Sequence, residues 1–417
     1  MNGNVPAISR RRFLAVASAS LAAPIIVSAA SREANSRLNI GMIGIGKQGE
    51  FHVGQLRHYR DTVQIVAVAE VYRQFRDRAV QMAGGPGVCT GYNDFREMLA
   101  RPDIDAVLIA TPDHWHAIQA IESARACKDV FCEKPLSLTI REARAMVNAA
   151  RSYNRVFQTG SMQRSSPEFH RACQLVRNGY IGRIQRVEVN VGGPSVDCQL
   201  PEEPIPDGLD WDMWLGPAPY RPFNAVLRPP HNNSFPNWRS FRDYSGGGMT
   251  DWGAHHFDIA QWGLGMDGTG PVEIIPPNGK DVRALTYVYA NGIPMLHTGR
   301  GGITFFGTEG TVFVNRGIIE TKPESLRTMP FKPSDVQLYV SRNHHEDWLS
   351  AIRKRTRPIC DAEIGCRSVT VCHLGNIAYW MKRPLKWDPQ KESFVNDELA
   401  NRWLSRAYRG GWTLPLL

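Results

Sequence analysis

One short stretch constrains the fold of this chain more than any other, because residues 37–52 read RLNIGMIGIGKQGEFH. An apolar, β-branched run ends in a glycine-rich loop, and a segment with helical spacing follows. Gly44, Gly46 and Gly49 are placed for a tight turn, a close approach of backbone to pyrophosphate, and close helix–strand packing. The stretch predicts a dinucleotide-binding loop that also contains Lys47 and Gln48.

The alternation of strands and helices continues to about residue 155. Apolar runs at 38–43, 63–69 and 106–110 predict strands buried on both faces, and residues 50–59, 73–83 and 115–126 have helical spacing. Strands that alternate with helices indicate a doubly wound parallel sheet. We therefore expect an N-terminal Rossmann domain over residues 37–158.

The pattern changes beyond residue 159. Residues 184–191 alternate apolar and polar side chains, and strand-like segments recur at 282–289, 295–300, 302–306 and 310–315. This pattern predicts a C-terminal α/β domain over 159–417 with a large, mainly antiparallel open sheet. Residues 193–245 are rich in Pro, Trp and Asn, and long ordered loops of this kind usually build a site.

An acidic residue follows the second predicted strand at the position that distinguishes the two nicotinamide dinucleotides. Glu70 lies about twenty residues after the glycine loop. A carboxylate there binds the hydroxyls of the adenosine ribose and repels a 2'-phosphate, which favours NAD over NADP. Arg73 is close enough in sequence to accommodate a phosphate, so the alternative stays open.

The N-terminal thirty residues have the features of an export signal. Ser9-Arg10-Arg11-Arg12-Phe13-Leu14 matches the twin-arginine pattern, and a moderately apolar stretch and small residues follow it. We predict a signal peptide over 1–30 and a periplasmic or otherwise exported protein. A disordered basic tail or a short amphipathic helix is the alternative.

Composition excludes several other classes of protein. Hydrophobic residues make up 42% and charged residues 21%, and no apolar run after residue 30 could span a bilayer. The net charge of +9 is spread along the chain, which argues against nucleic-acid binding. The eight cysteines form no C-x-x-C pair, and no histidine has a zinc-like spacing, so no metal site is predicted.

Three further motifs add to the glycine loop: Thr111-Pro112 with His116, Glu133-Lys134-Pro135, and GGGMTDWGAHHFD at 246–258. In this order they resemble the Gfo/Idh/MocA family of oxidoreductases. The resemblance implies a Rossmann domain followed by an α/β domain whose open sheet packs in dimers or tetramers. It implies cofactor contacts at the following positions: Gly44, Gly46, Gly49, Glu70, Thr111, Pro112, His116, Glu133 and Lys134.

The resemblance also implies the chemistry of three residues. Lys134 matches the family's catalytic lysine, and an ammonium can hold the substrate oxygen while charge develops on it. Pro135 restricts Lys134 to an extended conformation and is a candidate for a cis bond. Asp251 and His255 are four residues apart, so one helix face would carry both, with His255 as the proton acceptor.

The aromatic loops offer candidates for contacts with a sugar ring. Trp238, with Arg164 and Arg239 as polar partners, is predicted to bind substrate together with Asp251 and His255. The other candidates for stacking are Trp211, Trp214, Tyr220 and Tyr244, for which core packing is the alternative.

These observations predict an NAD-dependent oxidoreductase acting on a hydroxyl of a sugar, glycoside or cyclitol. An exported enzyme cannot exchange reduced cofactor with a soluble pool, so the cofactor should be tightly held and regenerated in place. Either two substrates are turned over in succession, or one glycoside is cleaved by transient oxidation and elimination. A non-catalytic protein that senses a sugar or NAD is the alternative from another class.

Overall fold

The computed structural model describes residues 37–415, and the predicted export signal lies outside them. The N-terminal part is a six-stranded, wholly parallel sheet in the order β3-β2-β1-β4-β5-β6. Its strands are β1 (Leu38–Ile43), β2 (Val63–Ala69), β3 (Thr90–Tyr92), β4 (Ala106–Ile109), β5 (Asp129–Cys132) and β6 (Phe157–Thr159). Its helices are α1 (Lys47–Leu56), α2 (Arg73–Met82), α3 (Phe95–Leu99), α4 (Asp113–Arg125) and α5 (Ile140–Ser152). This confirms the predicted Rossmann sheet.

The C-terminal part is a nine-stranded mixed sheet in the order β13-β12-β11-β7-β10-β9-β8-β14-β15, in which only β7 and β10 pair in parallel. Its strands are β7 (Ile184–Asn190), β8 (Glu273–Ile275), β9 (Thr286–Val288), β10 (Pro294–Leu296), β11 (Gly302–Gly307), β12 (Thr311–Asn315), β13 (Ile318–Lys322), β14 (Leu385–Asp388) and β15 (Ser393–Phe394). The mainly antiparallel sheet is confirmed.

The remaining helices are α6 (Pro167–Arg177), α7 (Trp211–Leu215), α8 (Gly248–Asp251), α9 (Gly253–Leu264), α10 (His344–Lys354), α11 (Ala362–Met381) and α12 (Glu398–Asn401). Helices α6, α9 and α11 share one apolar core with the nine-stranded sheet. Within residues 37–415, none of the helices combines the length and apolar character needed to cross a membrane. All eight cysteines are free.

Two late helices return to the parallel sheet. Trp348, Leu349 and Ile352 of α10 pack in the same core as β1 and β2, and Cys366 at the start of α11 packs against the opposite face of that sheet. The Rossmann core is therefore completed by residues that lie almost 200 positions after β6. Helix α11 also contributes to the apolar core of the nine-stranded sheet, so it joins the two parts of the chain. The functional site lies at the carboxyl ends of the parallel strands.

Arg164 belongs to the core of the second part. Its side chain is 1% exposed, its Nε and Nη2 donate to Asp258 at 2.8 Å each, and Nη2 also donates to Asp267 at 2.7 Å. Arg164 is thus a buried partner of two carboxylates, and it does not line either of the two clefts described below. This corrects the prediction that Arg164 contacts substrate.

We predict that Arg164→Ala lowers the free energy of unfolding by about 3–5 kcal/mol, because it leaves the buried carboxylate of Asp258 without its partner. Thermal unfolding followed by circular dichroism measures the loss. Arg327→Ala is the control, since the ion pair of Arg327 with Glu324 is exposed and its loss should cost about 0–1 kcal/mol. An Arg164 variant with unchanged stability would restore a role at the ligand site.

Candidate functional site

The glycine loop between β1 and α1 forms one wall of an elongated cleft, here called the cofactor cleft. Gly44 has a φ of +85°, and a Cβ there would lie 2.8 Å from Thr111 N. A Cβ on Gly49 would lie 2.2 Å from Gly44 O, whereas one on Gly46 would meet nothing within 4 Å. The first and third glycines are required by packing, and the second leaves open space beside the backbone, as a pyrophosphate needs. The cleft therefore fits a dinucleotide.

Glu70 lies at the carboxyl end of β2, on the floor of the cofactor cleft. Its carboxylate accepts from Ile45 N at 2.7 Å and from Tyr72 N at 2.9 Å, so one oxygen is bonded to each backbone amide. These bonds fix an acceptor-only group beside the glycine loop. Its position agrees with the predicted contact to the adenosine ribose.

The loop after β4 forms the next part of the wall. Thr111 and Pro112 line the cofactor cleft with Lys47 and Gln48. His116 is not at the cleft surface: its Nδ1 lies 2.9 Å from Pro135 O and its Nε2 lies 2.9 Å from Thr111 O. It ties the cofactor loop to the segment that carries Lys134, so its role is to connect the two.

A second cleft of about 690 Å³ opens from the same wall and contains the predicted catalytic residues. Lys134, which follows β5 and precedes a cis peptide bond to Pro135, donates from Nζ to Asp251 Oδ1 at 2.7 Å and to Asp251 O at 3.1 Å. Arg239 Nε lies 3.6 Å from the same carboxylate oxygen. Burial opposes ionisation of Asp251, but these two cations outweigh it and lower its pKa. This catalytic cleft therefore holds an ionised Asp251 between two cations.

His255 faces the catalytic cleft from a helix separate from that of Asp251. The expected continuous helix is interrupted at Trp252, so Asp251 ends α8 while His255 lies in α9. Asp251 hydrogen-bonds to Lys134, and among residues 37–415 neither ring nitrogen of His255 has a hydrogen-bond partner. Burial, reinforced by the positive charge of Lys134, lowers the pKa of His255 well below its ordinary value. The imidazole is therefore neutral, which is the form that can accept a proton.

Glu133 connects Lys134 to helix α1. Its carboxylate accepts from Lys134 N at 3.0 Å, from Gln48 Nε2 at 3.0 Å and from His52 Nε2 at 2.9 Å. Burial opposes ionisation, but the bond from His52 dominates and lowers the pKa of Glu133 to about 2. His52 Nδ1 lies 2.8 Å from His345 Nε2 of α10. A buried chain of polar groups thus links three elements behind the lysine.

Asp113 is a buried carboxyl group of the catalytic cleft that sequence reasoning missed. Asp113, the first residue of α4, is 2% exposed and accepts from Ser245 Oγ at 2.6 Å. Burial raises its pKa to about 7, because the nearby charge of Arg239 compensates only in part. The sequence signal was present, since Asp113 directly follows Thr111-Pro112, but nothing in the pattern distinguished it from a helix cap.

The aromatic loops divide between core and cleft. Trp238 and Arg239 line both clefts, as expected of substrate contacts. A separate small core contains Trp211, Trp214 and Tyr244 and also includes Trp238, and Trp214 borders the cofactor cleft as well. Tyr220 is 70% exposed. The structure adds cleft residues that lie outside the quoted motifs: Met162, Gln163, Glu168 and Arg316. Residues 37–415 contain no cluster of His, Cys, Asp and Glu arranged to hold a metal ion.

Comparison with known proteins agrees with this architecture. Residues 38–161 match the NAD-binding Rossmann fold of the GFO_IDH_MocA oxidoreductase family, and residues 194–414 match its C-terminal alpha/beta domain. The chain is similar to a myo-inositol 2-dehydrogenase of Thermotoga maritima, with 31% identity over 158 residues, which are 38% of this chain and 46% of that protein. It is similar to a glycosyl hydrolase family 109 protein of Shewanella baltica, with 34% identity over 35% of this chain and 33% of that protein.

The matched segment thus spans less than half the length of each of these two relatives. Among solved structures, levoglucosan dehydrogenase in complex with NADH and L-sorbose superposes with a TM-score of 0.57 and 20% identity. The superposition covers 84% of this chain and 99% of that one. At 20% identity this superposition shows that the two proteins share a fold, and it shows no more than that.

We predict that Asp113→Asn stabilises the protein at high pH and not at low pH. The folded state keeps the Asp113 proton up to about pH 7, whereas an unfolded aspartate loses it near pH 4, so the native form loses stability as pH rises between these values. The loss is about 1.4 kcal/mol per pH unit over that interval, and a neutral asparagine avoids it.

Melting temperatures of the two proteins between pH 4 and pH 8 measure this effect. Asp281→Asn is the control, because a hydrogen bond from Asn278 lowers the pKa of Asp281 and no gain that grows with pH is expected there. A constant difference between Asp113→Asn and the parent protein would show that Asp113 does not titrate in this range.

Proposed function

This chain belongs to the Gfo/Idh/MocA oxidoreductase family, and on that premise we propose that it transfers hydride between a tightly held NAD and a hydroxyl of a sugar, glycoside or cyclitol. One observation carries the proposal. Lys134, Asp251 and the unpartnered His255 line one cleft, and that cleft shares Gln48, Thr111 and Trp238 with the cofactor cleft. A hydroxyl bound at Lys134 therefore lies where the two clefts meet.

Lys134, Asp251 and His255 would each have a separate role in the reaction. NAD supplies the hydride acceptor when it is bound. Lys134 holds the substrate oxygen, and Asp251 keeps the ammonium at that position. Neutral His255 accepts the hydroxyl proton while the hydride leaves, because its ring has no competing protein partner. Trp238 and Arg239 border the same space and orient the ring of the substrate.

Export and cofactor recycling form part of the proposal. The twin-arginine pattern in residues 9–14 supports a location outside the cytoplasm, where the same molecule of NAD must be reduced and reoxidised in turn. Similarity to glycosyl hydrolase family 109 proteins supports a second candidate reaction, in which a glycoside is transiently oxidised, cleaved by elimination and reduced again. In both reactions Lys134 would hold the substrate oxygen and His255 would accept the hydroxyl proton.

We also propose that the nine-stranded sheet joins copies of the chain. Along β7, Val187 and Val189 are buried while Arg186, Glu188 and Asn190 are only half-buried. The sheet therefore has one face outside the apolar core. A second copy packed on that face would give the dimer or tetramer expected from the family.

We predict that Lys134→Ala retains bound nucleotide but loses hydride transfer by about 100-fold or more, because the group that holds the reacting oxygen is gone. Nucleotide released on denaturation is quantified by mass spectrometry. Hydride transfer is followed by the near-ultraviolet absorbance of reduced nicotinamide after addition of myo-inositol, free sugars or aryl glycosides.

Lys128→Ala is the matched control, since Lys128 is a buried lysine that donates to Arg101 O outside both clefts. It should keep hydride transfer at the level of the parent protein. Unchanged turnover in Lys134→Ala would remove Lys134 from the chemistry. Parent protein that retains NAD and reduces it with none of these compounds would favour a sensor.

A further inference from the structure

A segment of the second half of the chain forms the outer wall of the cofactor cleft. Residues 228–239, here called the strap, contribute Arg228, Asn232, Phe235, Trp238 and Arg239 to that wall. The Rossmann residues lie opposite them. A dinucleotide in the cleft would be enclosed between the two walls, so the strap decides how easily it leaves.

Direct contacts fasten the strap to the glycine loop and to α2. Asn232 Nδ2 donates to Ile45 O at 3.2 Å, and Lys47 Nζ donates to the main-chain oxygen of Asn233 at 2.7 Å. At the α2 side, Gln74 Nε2 donates to Pro230 O at 3.0 Å. These bonds join the strap to the loop that receives the pyrophosphate.

Arg228 is the buried end of the strap. Its side chain is 6% exposed, and its guanidinium carbon lies 4.1 Å from the centre of the Phe75 ring and 5.4 Å from that of Tyr72. Its Nη2 is buried without a hydrogen-bond partner and lies 3.9 Å from Glu70 Oε1, beyond hydrogen-bond distance. Both oxygens of Glu70 already accept backbone amides. The unmet donor therefore needs an acceptor that the protein does not supply.

We propose that Arg228 binds the adenosine ribose of NAD together with Glu70, and that this contact fastens the strap over the cofactor. A ribose hydroxyl can donate to a carboxylate and accept from a guanidinium at the same time, which satisfies both groups. Bound NAD thus completes the hydrogen bonding of Arg228, and the strap in turn holds NAD in the cleft. The inference depends on NAD binding and is independent of the substrate.

The test is the rate at which the full-length protein releases NAD. Parent protein and variants are loaded with adenine-labelled NAD, and the loss of label is followed after addition of excess unlabelled NAD. Arg228→Ala should release NAD about ten-fold faster or more, because it removes a charge-assisted hydrogen bond made only in the complex. Asn232→Ala, which frees the strap from Ile45, should also accelerate release.

Arg171→Ala is the matched control. Arg171 is a half-buried arginine that donates to Leu326 O and Met329 O and packs on Phe331, away from both clefts. It should release NAD like the parent. The proposal is overturned if Arg228→Ala retains NAD as well as the parent, or if Arg171→Ala releases it equally fast. Normal retention without hydride transfer would contradict only the proposed reaction.

A second experiment locates Arg228 relative to the 2' position of the ribose. Glu70→Gln removes the charge that repels a 2'-phosphate, so Arg228 should then pair with that phosphate and raise the affinity for NADP relative to NAD by about ten-fold or more. The double variant Glu70→Gln with Arg228→Ala should lose this gain. Calorimetric titration with each dinucleotide measures the ratio, and equal gains in the single and double variants would place Arg228 elsewhere.

Discussion

The ion pair between Lys134 and Asp251 joins the two halves of the active site. Lys134 follows a strand of the parallel sheet, whereas Asp251 ends a short helix of the second part, so their 2.7 Å contact joins the two parts of the chain. Arg239 adds a second cation to the same carboxylate. Catalytic geometry thus depends on packing between the two parts of the chain.

That packing is built from sequence-distant pieces, which explains the limit of prediction from sequence. Strands β1, β2 and β4 are continuous apolar runs, so their positions followed from the pattern within one residue, whereas the short strands β3 and β6 contain polar residues and were not predicted. Helix α10 has an ordinary amphipathic pattern, and nothing in it indicated that Trp348 packs on the first sheet. Periodicity shows that a helix face is buried but does not show against which sheet it packs.

In the site too, residues within local motifs could be predicted, whereas residues defined by tertiary contacts could not. Lys134, Asp251 and His255 were found because each lies within a motif, and the structure brings all three to one cleft. Arg164 was assigned wrongly, since a buried ion pair and a ligand contact look alike in a sequence. Arg228 was missed because its partners, Glu70 and Phe75, are more than 150 positions away. Residues that act through tertiary contacts leave no local signal.

The strap connects cofactor retention to catalysis. It begins at Arg228 beside Glu70, the proposed site of the adenosine ribose, and ends at Arg239, which faces Asp251. Opening the strap to release NAD would break its bonds to Ile45 and Lys47 and also move a cation away from the catalytic carboxylate. Dissociation of the cofactor therefore disrupts the site that uses it. Under the proposed function, a strap that stays closed would keep NAD in the cleft between its reduction and its reoxidation, as recycling of the cofactor in place requires.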